Sequence, residues 1–502
     1  MDPAPSSFPA NNGLSHSNGL PHVLNYTNDV WSQPSGTGSS TVLNPSTGTE
    51  IGVVSYSSES DVDKAVAAAR SAQQGWAATP IKERAQLFFR YKALLERHRN
   101  DLAAVVNREN GKVMPEAVAE IEKAIEVTEF ACAMPHMTTG EILEVSKGVE
   151  CRIDRHPVGV VASITPFNFP SMVPHWTIPN ALVLGNAFIL KPSPLVPLSS
   201  LMIAELLTEA GLPPGLFSIT HGGQETVELL CDHPGVDALT FVGSTKVAKA
   251  VYQRATSSFK RVVALGGAKN HILVLPDAHP DMAASNIAAS MSGCAGQRCM
   301  AASAMIAVGP SDHIIERLIQ EARKLIPGKN LGPVISRHAK ERIERYITEA
   351  EREGAKVVLD GRSTIVQGHE GGFFVGPTII DRVRPDMKIA QEEVFGPVLA
   401  IMRAETLDEA LRIENASPYG NAASVFTQSG AAARVVMERA SAGMVGVNIG
   451  VPVPREPFSF GGWNESKFGA CDITGKSSIE FLTRQKKTTI KWNPEARAGW
   501  MS

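Results

Sequence analysis

A chain of 502 residues exceeds what one hydrophobic core supports and should divide into two or three domains. With 43% hydrophobic and 20% charged residues, and a net charge of -3 from 48 Lys and Arg against 51 Asp and Glu, nothing indicates a bulk nucleic-acid-binding or membrane surface. Six cysteines (Cys132, Cys151, Cys231, Cys294, Cys299 and Cys471) lie scattered, with no C-x-x-C and no His pair at metal-ligand spacing, which reads as a reducing compartment without structural zinc.

The chain begins with a stretch rich in Ser, Pro, Asn and Gly that runs to about Gly38. Residues 1–24 are expected to form a disordered tail, because they carry too little apolar surface to order themselves. The stretch lacks the apolar segment of a secretory signal, and no Lys or Arg precedes Lys64, which argues against an Arg-rich transit peptide. No apolar run is long enough to span a bilayer, so a cytoplasmic location is expected, with no nucleic acid and no membrane as partner.

Two short strands, Thr41 to Pro45 and Glu50 to Val54, flank a Ser-Thr-Gly turn. A helix is expected to open at Ser60-Asp61, with Val62, Ala65, Val66 and Ala69 on its apolar side, and Pro80 closes that region. Helical patterns follow over Lys82 to His98, Asp101 to Asn107, and a long stretch after Pro115. From Cys151 the period changes. Apolar runs at Val158 to Ile164, Phe188 to Lys191, Phe217 to Thr220 and Ala238 to Val242 alternate with helical stretches, the pattern of a parallel doubly wound sheet. A second set of α/β elements runs from His271 to about Gly450 and carries Ser292-Gly293-Cys294-Ala295-Gly296-Gln297-Arg298-Cys299-Met300. Small residues there let the backbone fold tightly and a ligand approach closely. Arg298 places a cation beside Cys299, which favours the thiolate, the form that attacks carbonyl carbon.

Several motifs then converge. Ile164-Thr165-Pro166-Phe167-Asn168-Phe169-Pro170, Leu190-Lys191-Pro192-Ser193, Phe241-Val242-Gly243-Ser244-Thr245, Gly296-Gln297-Arg298-Cys299 and Glu392-Glu393-Val394-Phe395-Gly396-Pro397-Val398 stand in the order seen in aldehyde dehydrogenases. The resemblance covers about Asn25 to Trp492. It implies an α/β fold of the aldehyde dehydrogenase type: a Rossmann-type nucleotide-binding domain (25–143 and 160–266), an α/β catalytic domain (267–455) and a small β oligomerisation arm (144–159 and 478–495). It further implies that Cys299 attacks the aldehyde and that Asn168 donates to the developing oxyanion. Hydride would pass to a nicotinamide cofactor held by Thr165, Phe167, Lys191, Gly243, Ser244, Glu393 and Phe395. Lys191 and Glu393 resemble the residues that hold the two riboses, and Gly243-Ser244 opens a helix whose N–H groups meet the pyrophosphate.

The departures narrow the reading. Hydrolytic members carry Glu immediately before the Leu-Gly-Gly turn as the base that activates water, and Ala264 stands there in this chain. A thiol acceptor needs such help far less, because it ionises more easily than water. Gly-Ala-Lys-Asn-His at 267–271, Gly-Gln-Arg-Cys-Met-Ala at 296–301 and Val451-Pro452-Val453-Pro454 with Phe458-Ser459-Phe460 resemble the methylmalonate-semialdehyde dehydrogenase branch, whose members transfer the acyl group to coenzyme A and also lack that Glu. The branch is expected to bind the substrate carboxylate with two arginines. One corresponds to Arg298, which alternatively serves only the thiolate, and the other falls at Lys123, which lacks the planar fork of Arg. Pro194 stands where NAD-using members carry a ribose-binding Glu, so NADP stays open beside NAD.

The C-terminal stretch Phe481 to Trp492, rich in Thr and Lys, reads as a charged edge strand. The resemblance implies that it binds a neighbouring subunit together with the arm around Gly148 to His156, giving a homodimer or homotetramer. The expected reaction is oxidation of a short semialdehyde to an acyl-CoA with loss of CO2. Hydrolytic oxidation to a free acid, and a non-catalytic protein on the same fold, are the alternatives.

Overall fold

Apolar runs without polar alternation mark strands buried on both faces, and five of them form the centre of the first sheet. The computed structural model describes residues 12–15 and 19–492. Its largest sheet has eight strands, in the order Lys467–Phe468, Arg261–Leu265, Ala238–Val242, Val160–Ile164, Ala187–Lys191, Phe217–Ile219, Asn25–Thr27 and Val30–Ser32. The five strands from Arg261–Leu265 to Phe217–Ile219 run parallel, and both edges are antiparallel. Helices over Glu59–Ala78, Met172–Val183, Leu198–Glu209, Gln224–Asp232 and Thr245–Ser257 accompany it.

The second sheet has seven strands, in the order Lys356–Leu359, Thr378–Asp381, Val398–Ala404, Ala302–Val308, Asn270–Val274, Ala422–Phe426 and Met444–Val447. All pair in parallel except Lys356–Leu359 at its edge. The chain passes from the first sheet to the second through the short connection 266–269, between Arg261–Leu265 and Asn270–Val274. That crossing creates the seam where the functional residues gather.

Capping moves the first helix slightly upstream of the expected start. Ser58 Oγ accepts the Asp61 N–H at 3.2 Å, and the Asp61 carboxylate accepts the Ser58 N–H at 3.0 Å, so the helix begins at Glu59. The helices near 82–132 lie at Ile81–Arg97, Arg99–Asn110 and Met114–Cys132.

The expectation of a disordered tail over 1–24 needs correction at its described part. Leu14–Ser15 pairs with His22–Val23, which joins Thr49–Ser55 and Ser39–Asn44 in a four-stranded sheet. Val23 is fully buried there, packed with Val42, Ile51, Val54, Leu198 and Leu201. A few well-placed apolar side chains anchor a segment whose average composition is polar. Residues 1–11 and 16–18 lie outside the described residues.

Thr483–Lys491 pairs antiparallel with Val149–Pro157 of its own chain, from Thr483 opposite Pro157 to Lys491 opposite Val149. Val149–Pro157 pairs in turn with Glu141–Ser146. Every residue of Glu141–Ser146 is exposed, including Ile142, Leu143 and Val145.

Candidate active site

Cys299 sits half-buried in the loop between the helix Pro280–Ser292 and the strand Ala302–Val308 of the second sheet. The loop enters through a tight turn in which Cys294 (φ 52°), Ala295 (φ 53°) and Gly296 (φ 71°) are all left-handed. Gly296 is required there, since a methyl group would collide with the Gly396 carbonyl. Two asparagines then grip the backbone of Cys299. Asn270 Nδ2 donates to the Cys299 carbonyl at 2.7 Å and the Ala301 carbonyl at 2.9 Å, and Asn421 Nδ2 donates to the Cys299 carbonyl at 2.8 Å. Neither residue was singled out from the sequence. Asn270 lay within the Gly-Ala-Lys-Asn-His run, and that was its only signal.

Asn168 follows the strand Val160–Ile164 of the first sheet and is buried. Its Nδ2 donates to the Gln297 carbonyl at 2.9 Å, which places it beside the Cys299 loop. An Asn amide has two N–H groups, so one remains for another acceptor. The loop around Asn168 is pinned from behind. Lys112 Nζ donates to the Asn168 carbonyl at 2.7 Å and pairs with Glu120, whose other oxygen accepts the N–H groups of Ser171 at 2.8 Å and Met172 at 3.0 Å. Asn110 Nδ2 donates to the Phe167 carbonyl at 2.9 Å. These supports are long-range contacts with no sequence signature.

Arg298 acts on Cys299 in the expected direction, but burial outweighs it. Arg298 Nε lies 3.4 Å from Cys294 Sγ, and its Nη2 lies 3.2 Å from Glu116 Oε1. Burial pushes the Cys299 thiol up to about 12, the Glu393 carboxyl adds to the rise, and Arg298 pulls the other way. Desolvation outweighs the adjacent cation because the guanidinium is engaged elsewhere.

A cavity of about 500 Å³ opens at Cys299. Arg298 and Lys123 line it, with Phe169, Trp176 and Phe460 on its apolar walls, and the rings of Trp176 and Phe460 are 4.7 Å apart between centroids. Lys123 Nζ is 2.6 Å from Glu456 Oε2 and 3.3 Å from Glu126. Three of the expected residues, Cys299, Arg298 and Lys123, therefore share one cavity.

The expected cofactor residues collect where the first sheet ends. Thr165, Lys191 and Gly243 follow or close the carboxyl ends of adjacent parallel strands, and the Thr165 N–H donates to the Lys191 carbonyl at 3.1 Å. Burial lowers the Lys191 amine to about 8. Ser244 is the N-cap of the helix Thr245–Ser257 and makes no side-chain cap bond. Phe167 and Phe395 meet edge to face, with centroids 5.9 Å apart and an interplanar angle of 85°. Glu393 reaches the same seam. A Cβ on Gly267 would lie 2.7 Å from its Oε2, and burial raises its carboxyl to about 7 against the pull of the Ala268 N–H and Lys269. Lys269 Nζ ties that loop down through the carbonyls of Ile389 at 2.7 Å and Glu392 at 3.0 Å. A dinucleotide fits this edge: strand-end loops, a helix N-terminus with open N–H groups, and a carboxyl admitted by a glycine.

Ala264 is fully buried in the strand Arg261–Leu265, between Phe241 and Phe468 in register. Among the described residues, no group of three or more His, Cys, Asp or Glu is placed to hold a metal ion, and no helix is long and apolar enough to cross a membrane.

Comparison with known proteins shows the family and the fold. The sequence profile of the aldehyde dehydrogenase family matches residues 31–488. Malonate-semialdehyde dehydrogenase 1 of Geobacillus kaustophilus (strain HTA426) is 44% identical over 478 residues, which is 94% of this chain and 98% of the relative. The crystal structure of methylmalonate-semialdehyde dehydrogenase from Oceanimonas doudoroffii superposes with a TM-score of 0.92 at 41% identity, covering 94% of this chain and 98% of that one. A protein from Sinorhizobium meliloti 1021, assigned to the same activity and crystallised with NAD, gives a TM-score of 0.93 at 39% identity over 95% of this chain and 99% of its own.

Proposed function

We propose that this chain, which belongs to the aldehyde dehydrogenase family, oxidises malonate or methylmalonate semialdehyde to acetyl-CoA or propanoyl-CoA, with NAD as oxidant and loss of CO2. The carrying observation is Cys299, clamped through its carbonyl by Asn270 and Asn421 in the lining of a cavity that Lys123 and Arg298 share.

The Cys299 sulfur adds to the aldehyde carbon, and Asn168 supplies a preorganised N–H to the oxyanion. A bound NAD would supply the hydride acceptor, and Thr165, Lys191, Gly243, Ser244, Glu393, Phe167 and Phe395 would hold it. Collapse of the oxyanion with loss of hydride leaves a thioester on Cys299. The β-carboxylate of the acyl group then leaves as CO2, because the thioester carbonyl accepts the electron pair and the resulting enolate takes a proton. The thiolate of coenzyme A displaces Cys299 and releases the acyl-CoA. Ala264 supports a thiol acceptor: no base stands at that position to draw a proton from water.

The exposed strand Glu141–Ser146, with Ile142, Leu143 and Val145 uncovered, supports assembly through the three-stranded arm into a homodimer or homotetramer. The cysteines, all free, support a reducing compartment, and we place the enzyme in the cytoplasm.

Product analysis tests the reading. With malonate semialdehyde and NAD, turnover is expected to be slow in buffer and to rise steeply with coenzyme A, yielding acetyl-CoA and CO2. Free acid formed at full rate without coenzyme A would overturn the acylating assignment in favour of hydrolysis.

A further inference from the structure

The catalytic cavity holds more charge than a short aldehyde needs. Arg298 is tied to Glu116, and Lys123 is held by two carboxylates, Glu456 at 2.6 Å and Glu126 at 3.3 Å. Those two differ in kind. Glu126 stands three residues along the same helix with its side chain 36% exposed, so water screens it. Glu456 arrives from the loop between Met444–Val447 and Trp463–Asn464, and its side chain is only 7% exposed. A carboxylate that dry needs a partner, and its contact with Lys123 is correspondingly strong.

We propose that Glu456 is the specificity-determining residue of this pocket: an internal carboxylate that competes with the substrate's carboxylate for Lys123. The inference rests on the reading above, in which Cys299 attacks a semialdehyde that bears a carboxylate. An ammonium is a compact charge with three donors, and a substrate carboxylate approaching it meets the negative charge of Glu456 at close range. Glu456 must swing aside or weaken substrate binding. It also lines a second cavity of about 670 Å³, but Glu96, Glu122, Glu126 and Glu129 line that space too, so displacement into it meets further negative charge and the competition persists. The consequence is a pocket that favours semialdehydes over uncharged aldehydes less strongly than its cations alone would dictate.

The test compares kcat/KM for malonate semialdehyde with that for propanal, read from NADH formation in the intact enzyme. Glu456→Gln keeps a hydrogen-bond acceptor for Lys123 and removes the charge. The ratio of semialdehyde to propanal is expected to rise about tenfold in that variant and to fall in Lys123→Met. In the double variant, removing Glu456 should no longer raise the ratio. An unchanged or lower ratio in Glu456→Gln overturns the proposal. So does an equal rise in the absence of Lys123, which would reveal only a general loss of negative charge. NADH forms whichever acyl acceptor follows, so an absence of acyl-CoA in the parent enzyme would overturn the reaction assignment alone and leave this ratio readable.

Discussion

In the proposed reaction Cys299 acts as a thiolate, and its surroundings oppose that form: burial and Glu393 together push the thiol up to about 12. Below that value each pH unit changes the thiolate fraction tenfold, so alkylation of Cys299 by iodoacetamide in the cofactor-free enzyme should rise about tenfold per unit from pH 7 to 9. Peptide mapping follows it, and a rate that is already flat at pH 7 would contradict the desolvation argument. Cys299→Ala should abolish NADH formation, whereas Cys294→Ala, whose sulfur accepts from Arg298, should stay within an order of magnitude of the parent. An inactive Cys294→Ala beside an active Cys299→Ala would reverse the assignment. Asn168→Ala removes the proposed oxyanion donor and should slow acylation by on the order of 10²–10³. A full pre-steady-state burst of NADH in that variant would remove Asn168 from the chemistry.

At the scale of elements, the site depends on loops held against one another more than on any helix or strand. The turn that delivers Cys299 and the loop that delivers Glu393 and Phe395 touch at Gly296 and Gly396, with no room for a methyl group between them. Gly296→Ala must therefore displace one of them and adopt a strained φ, at a cost of about 1–3 kcal/mol. A lowered urea midpoint and a loss of activity beyond tenfold are expected together. An unaltered midpoint with full activity would show that the contact yields easily. The Glu-Glu-Val-Phe-Gly-Pro motif was legible in the sequence, but this meeting of glycines was not, because the two loops are about a hundred residues apart along the chain.

For the molecule as a whole, buried titratable groups set the pH response. Burial holds His175 down at about 4, and holds His221 and His271 at about 3 with help from Lys191 and Lys269 respectively. Their unfolded value is about 6.5, so unfolding takes up protons below that pH and stability falls on acidification. Burial raises Glu109, Glu205 and Glu393 to about 7, so unfolding releases their protons between about 4.5 and 7 and stability falls as pH rises through that range. From about pH 5 to 6 the two sets oppose each other, with Glu414, also raised by burial, joining the carboxyls. Calorimetry should find a Tm plateau there, a decline below about 4.5 and a shallower decline toward 7.5. A Tm that climbs steadily from pH 6 to 8 would refute this balance.

The sequence by itself determined the doubly wound architecture, because apolar strand runs and the helices between them are local patterns dictated by burial on both faces of a parallel sheet. It also determined which residue types could carry the chemistry: a cysteine among small residues, an asparagine beside prolines, and an alanine where a base was expected. Tertiary structure alone decided what those groups touch. Arg298 turned to Cys294 and Glu116, Lys123 met Glu456 from a loop more than three hundred residues away, and Asn270 with Asn421 fixed the Cys299 backbone. Leu14 and Val23 likewise joined a sheet from within a polar stretch. Periodicity reports whether a side chain is buried. Partner, distance and charge state arise only where separate loops converge, and no local pattern encodes that meeting.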